Sequence, residues 1–161
     1  MCRLDRFSNI AYDNALKSKL NFKHGAVITK GSKIIVSGRN YGERTKILGQ
    51  IHSCIHAEID VASQLINRFI RKKTTNKYKY KDYLKKYMIW VVRAPTDKNS
   101  QLKRVYKNSI PCKMCISKLI SLGFNKIAYS DNNGNMIIQK LNLIENNVYT
   151  SSQKRYKHHF K

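Results

Sequence analysis

The sequence predicts an α/β fold, a mixed sheet with a parallel portion and helices packed on its faces. Five short runs of strand character (AVITK, KIIVS, MIWVVR, KIAY and MIIQKL) are interspersed with segments of helical spacing. Single helices separate the middle strands, which favours right-handed crossovers within one sheet. At 161 residues the chain is long enough to bury one core, so a single domain over 1–161 is expected.

Taken in order, Phe7, Ile10, Ala11 and Ala15 recur at helical spacing and predict an amphipathic helix from about Phe7 to Leu20. AVITK and KIIVS are joined by Gly31-Ser32, a tight hairpin in which Gly supplies the positive φ such turns require. Residues 40–50 read as a polar loop. From His56 onward, Ala57, Val61, Leu65 and Phe69 are spaced by four, a helix with one buried stripe. MIWVVR, residues 88–93, is a continuous apolar run of strand length. ISKLISLGF returns to helical spacing with Gly123 as its stop signal, and KIAY and MIIQKL flank the turn-rich SDNNGN.

Two stretches read as lying outside the core. Residues 68–87 carry nine basic side chains and one acid, a basic insertion in which Tyr80, Tyr83, Leu84 and Tyr87 predict a short helix resting on the domain. The loop 94–110 adds Lys98, Lys103, Arg104 and Lys107. The end of the chain, 150–161, reads as a frayed basic tail with His158 and His159 in it. The start lacks the apolar stretch of a signal peptide, and no run approaches the roughly 20 apolar residues of a membrane span, so an intracellular protein without a membrane partner is expected.

The formal net charge is +23, from 32 Lys and Arg against 9 Asp and Glu. Such an imbalance attracts polyanions and says nothing of fold. Asn, Ile and Tyr are abundant too, so A/T-biased codons are a second source of Lys. Nucleotides and nucleic acids are the partners this charge suggests.

Four cysteines, two of them in PCKMC, look like a metal or catalytic set and not a secreted disulfide framework. Cys2 and Cys54 read as reduced thiols. Cys112 and Cys115 stand at i and i+3 where a helix opens, so their sulfurs can converge on one metal, and Pro111 suits a first turn. The helix N-terminus favours thiolate over thiol. No fourth Cys or His recurs at structural-zinc spacing, whereas His56 offers one imidazole from the start of another helix. Three protein ligands and an open fourth position are the catalytic arrangement, and Glu58 then has a proton to carry. Residues i and i+2 do not share a helix face, so His56 and Glu58 must occupy the irregular helix entrance to act together. His52 and Cys54 read as bystanders.

These residues resemble the zinc-dependent cytidine and deoxycytidylate deaminase superfamily, whose signature pairs H-x-E with P-C-x-x-C. GAVITKGSKIIVSGRN and GFNKIAYSD resemble the family's framework in the family's order. The resemblance implies a three-layer fold with a five-stranded sheet, one zinc ion per chain, and removal of a nucleobase amino group as ammonia. It implies His56, Cys112 and Cys115 as zinc ligands and Glu58 as the proton shuttle. Contacts to substrate would come from the Ala57 N–H to the base, from Asn40 to the sugar, and from Tyr129 as an aromatic wall. Cys112 follows His56 by 56 positions, longer than in compact members, and the extra length is the basic stretch and the Lys-rich loop. Relatives acting on transfer RNA adenosine carry small residues after the second cysteine; here stand Ile116, Ser117, Lys118 and Leu119, which favours cytosine.

Three functions follow as alternatives. The first is a deaminase of a free cytosine nucleotide or nucleoside. The second is a deaminase of a base in a nucleic acid, with Arg68, Arg71, Lys72, Lys73, Tyr78 and Tyr80 tracking phosphates and stacking on unpaired bases. The third is a non-catalytic basic packaging protein on the same fold. The intact motifs favour the first two, and the framework favours the first. A homo-oligomer is left open.

Overall fold

The computed structural model describes residues 3–42, 45–47, 50–71 and 79–146. Its elements run α1 (Arg3–Leu16), β1 (Lys23–Lys30), β2 (Lys33–Arg39), β3 (Thr45–Ile47), β4 (Gln50–His52), α2 (Ala57–Arg71), α3 (Lys79–Leu84), β5 (Met88–Ala94), α4 (Lys98–Leu102), α5 (Lys113–Leu122), β6 (Lys126–Ser130) and β7 (Met136–Lys140), then a 3-10 turn at Leu141–Leu143. Five strands form one sheet in the order β2-β1-β5-β6-β7. The α/β sheet is mixed as expected: β5 and β6 are its parallel pair, and the other neighbours are antiparallel.

Strand alternation divides the core in two. Ala26, Ile28, Ile89, Val91, Ile127 and Tyr129 face α2 and α5, with Val61, Leu65, Cys115 and Leu119. Val27, Trp90, Val92 and Ala128 point the other way and meet Phe7, Ala11, Tyr12 and Ala15 of α1. Helices thus cover both faces, making three layers. On the α1 side, the single tryptophan, Trp90, is buried and donates its indole N–H to Thr29 Oγ1 at 3.0 Å. Its ring lies 5.0 Å from that of Phe7.

Two glycines allow the helices to sit this close. A Cβ on Gly38 would strike the Asp60 carboxylate, which accepts the Arg39 N–H at 3.2 Å and so ties α2 to β2. A Cβ on Gly25 would strike the Ala11 carbonyl and the Ala15 amide of α1. Both obstacles at Gly25 are backbone and cannot swing aside. Gly25→Ala is therefore expected to destabilise the fold by about 1–3 kcal/mol or more, read as a lower urea midpoint at unchanged m-value. An unshifted midpoint would mean that α1 is free to lift from the sheet.

The structure corrects several expectations. The first helix runs from Arg3 to Leu16, earlier than expected, because Lys17 and Ser18 close it with turn bonds to Asn14 and Ala15. Residues 40–50 contain strand structure: β3 and β4 pair as a small antiparallel ladder. The basic stretch is part of the core at its second half, where Leu84 and Tyr87 are buried and Phe69 packs edge-on to Tyr83 at 5.2 Å. The loop 94–110 holds α4 and is fastened to α1: Tyr12 donates to the Gln101 carbonyl, Tyr106 to Asn9, and Arg104 pairs with Asp13 at 2.9 Å. Ser109, at its end, is buried on Ser130 and the Val91 carbonyl. Lys72, Lys73, Tyr78 and the tail 150–161 lie outside the described residues. Among the described residues, no helix is long and apolar enough to cross a membrane.

Candidate active site

The functional residues gather where two helices begin. His56 immediately precedes α2, and its carbonyl accepts the first helical bonds, from Ile59 and Asp60. Ala57 and Glu58 are the first two residues of α2. Cys112 is the residue before α5, in extended conformation (φ −70°, ψ 161°), and Cys115 lies one turn inside. Gly123 ends α5 in the left-handed region at φ 106°, its αL position packed on the Lys81 backbone. His56 and Glu58 thus occupy a helix entrance, where neighbouring residues need not follow helical facing.

His56, Cys112 and Cys115 form a metal-ligating trio whose donor atoms all lie within 4.8 Å of one another. His56 Nδ1 is 3.6 Å from Cys112 Sγ and 3.2 Å from Cys115 Sγ. Tetrahedral zinc, at about 2.3 Å from sulfur and about 2.0–2.1 Å from nitrogen, holds its ligands roughly 3.5–3.8 Å apart, so the trio fits one Zn2+. Both cysteines are buried. The trio contains neither His52, which is half-buried in β4, nor Cys54.

Glu58 is buried against this trio. Burial pushes its carboxyl above the ordinary range, and the charge of His56 opposes that shift. Cys115 shares a hydrogen bond with Glu58, and its thiol is raised well above the ordinary value by its bond to Cys112 and by burial. His56 is drawn down by burial but raised more by the Cys112 bond and the Glu58 charge, to about 8. A buried carboxyl therefore sits beside the three residues that fit a zinc ion.

The remaining expected residues line the same end of the molecule or are occupied elsewhere. Asn40 is buried, and its carboxamide accepts the His24 N–H at 2.8 Å and donates to the Phe22 carbonyl at 2.6 Å. It fixes the entry to β1. Tyr129 is buried on the trio's face of the sheet and donates its hydroxyl to Gln139 Oε1 at 3.0 Å. Arg68 is exposed and donates to the Ile35 carbonyl at 2.6 Å, away from the trio's helix entrance.

Two site-facing residues, His24 and Arg93, escaped the sequence reading. They are paired across β1 and β5 and share the parity of Ala26 and Val91, hence the face of the trio. Burial lowers the His24 ring to about 4, so it is neutral at neutral pH, and it feels His56, Arg93 and Cys112. The signal was present as an arginine ending the apolar run MIWVVR. Reading it required the register between two strands far apart in the chain.

A sequence profile described as the cytidine and deoxycytidylate deaminase zinc-binding region matches residues 1–131. No curated protein matches the chain in a sequence search. Among solved structures, a cytidine deaminase from Burkholderia pseudomallei is similar at 16% identity and a TM-score of 0.55, covering 89% of this chain and 97% of that one. A dCMP deaminase from the cyanophage S-TIM5 is similar at 15% identity and a TM-score of 0.45, covering 80% of this chain and 82% of the other. The Burkholderia likeness is one of fold, in agreement with the mixed five-stranded sheet and its flanking helices.

Proposed function

Because the chain belongs to the cytidine and deoxycytidylate deaminase family, zinc-dependent hydrolases of C–N bonds, we propose that it removes the amino group from a cytosine base carried on a free nucleotide. The products are the uracil nucleotide and ammonia. The observation that carries this reading is a buried carboxyl, Glu58, within hydrogen-bond reach of a His56/Cys112/Cys115 trio.

Zinc, held by His56, Cys112 and Cys115, would supply a water of lowered pKa at neutral pH. Glu58 takes a proton from the water that adds to C4 of the base and delivers it to the ring nitrogen N3. A second transfer, from the new C4 hydroxyl through Glu58 to the exocyclic nitrogen, lets the C4–N bond break, leaving a C4 carbonyl and ammonia. The carboxyl ends in the protonation state in which it began. The Ala57 N–H and the second Nδ2 hydrogen of Asn40 are assigned to the base and the sugar, and the Tyr129 ring to the pocket wall.

The described ends of the basic stretch support a free nucleotide over a nucleic acid. Helix α2 starts at the trio and ends at Arg71, about 22 Å away at 1.5 Å rise per residue. The other described end, Lys79, opens α3, which leads to the buried Leu84 beside the start of β5, again the end of the sheet remote from His24 and Arg93. Arg71 and Lys79 both lie away from the reacting base. A substrate panel of dCMP, CMP, cytidine and a cytosine-containing single-stranded oligonucleotide, read by mass spectrometry for the amine-to-carbonyl exchange, tests the reading. Turnover is expected on a mononucleotide; conversion of the oligonucleotide alone would replace the free-nucleotide assignment.

A further inference from the structure

We propose that Arg93 is the phosphate anchor of this site, holding the 5′-phosphate of the nucleotide while the base lies against Glu58. The proposal rests on the cytosine-nucleotide reading above and assigns the group that separates nucleotide from nucleoside.

The starting point is an anomaly. Among the described residues, Arg93 Nε is the buried side-chain nitrogen or oxygen left without a hydrogen-bond partner. The ion pairs among those residues are Lys85 with Asp82 and Arg104 with Asp13, so no carboxylate answers this guanidinium. Burial alone accounts for the lowering of its pKa, with no anion acting against it. A guanidinium whose Nε is shut off from water and left without a partner is unfavourable in the resting protein, and such groups call for an explanation.

The surroundings point to an anion arriving from solvent. The guanidinium lies over the ring of Phe22, 4.5 Å from its centroid, and Phe22 is 62% exposed. Arg93 thus stands at a rim, its Nε inside and its stacking partner outside. Stacking fixes the plane of the fork and leaves its edge available for two parallel hydrogen bonds, the geometry in which arginine binds phosphate. The Phe22 segment is itself held by Asn40 through the Phe22 carbonyl and the His24 amide, so the rim is rigid.

Placement relative to the chemistry is given by the sheet. Arg93 pairs with His24 on the trio's face, and His24 interacts electrostatically with Arg93 on one hand and with His56 and Cys112 on the other. Guanidinium, imidazole and metal ligands therefore share one face of the sheet, the face along which a nucleotide with its base at Glu58 would lie. Asn40, assigned to the sugar, and the His24 ring both bond the Phe22 carbonyl, at 2.6 and 3.2 Å. Base, sugar and phosphate would then meet Glu58, Asn40 and Arg93 in turn.

The test compares zinc-loaded wild type, Arg93→Met and Arg93→Lys. Calorimetry with dUMP and deoxyuridine, the product pair, measures the preference for phosphate without turnover, and kcat/KM for dCMP and deoxycytidine measures it in catalysis. Removing a charge-assisted fork is expected to shrink the dUMP-over-deoxyuridine preference about 10- to 100-fold in Arg93→Met. Arg93→Lys, which keeps charge and stem, should recover part of it and serves as the folded control. A wild-type preference that survives Arg93→Met overturns the assignment, as does loss of affinity for both ligands in equal measure. A uracil-containing oligonucleotide that loses more affinity than dUMP would move the anchor from a free phosphate to a strand, and would overturn the proposal as stated. Should wild type deaminate no cytosine compound yet bind dUMP through Arg93, the function above falls and the anchor stands. Should dCMP turn over equally well without Arg93, the function stands and the anchor falls.

Discussion

Glu58→Gln is expected to keep its zinc and lose turnover by at least about 10²–10⁴-fold, the contribution typical of a positioned acid–base group. Glutamine matches the volume of the side chain and fits the same space beside Cys115, so the pocket should stay closed. What it cannot do is accept a proton from water and hand it on. The loss should appear in kcat and in single-turnover rates more than in KM, because the missing interactions belong to the transition state. The variant should also be no less stable than wild type, since burial already works against the charge of Glu58. Elemental analysis and a thermal melt on one preparation check both halves. Zinc-replete Glu58→Gln that turns over within tenfold of wild type would remove Glu58 as the shuttle.

Cys115→Ser should lose both metal and activity. Cys115 lies one turn into α5, buried at 3% exposure, with its sulfur 3.2 Å from His56 Nδ1. Serine shortens the reach, and its hydroxyl is a far poorer anionic donor than a thiol. Two remaining ligands fall short of the three that a catalytic zinc needs, so zinc content should fall from about one per chain toward none. The thermal midpoint should fall as well, because the trio joins α2 to α5 and the free energy of binding a metal to the native state adds to stability. Wild type stripped by a chelator should regain zinc and turnover when zinc is returned, while Cys115→Ser should regain neither. A variant that stays zinc-loaded and active would mean that the metal sits elsewhere.

Much of the site could be read in advance because it is carried by short spacings. HAE at one helix entrance and PCKMC at another need only local geometry to present their side chains, and Gly31 (φ 59°) and Gly123 (φ 106°) sit where the turn and the helix stop were expected. Reading failed where burial is decided by distant chain. Tyr83, Leu84 and Tyr87 carried the right helical stripe, but the lysines around them masked the fact that Leu84 and Tyr87 complete the main core. Strands β3 and β4 have three residues each, too few for alternation to register. His24 and Arg93 become neighbours only through the pairing of β1 with β5, and Ser109 meets Ser130 only because the chain returns after α4.

The seat of Trp90 has a practical side. The one indole in the protein lies on the α1 face, bonded to Thr29 and stacked near Phe7, with the whole sheet between it and His56. Its fluorescence is an optical gauge of whether the first helix is seated, and the face that holds the metal ligands lies out of its view. Emission can therefore follow unfolding without being disturbed by occupancy of the pocket, which separates the two readings in any ligand-induced melting experiment.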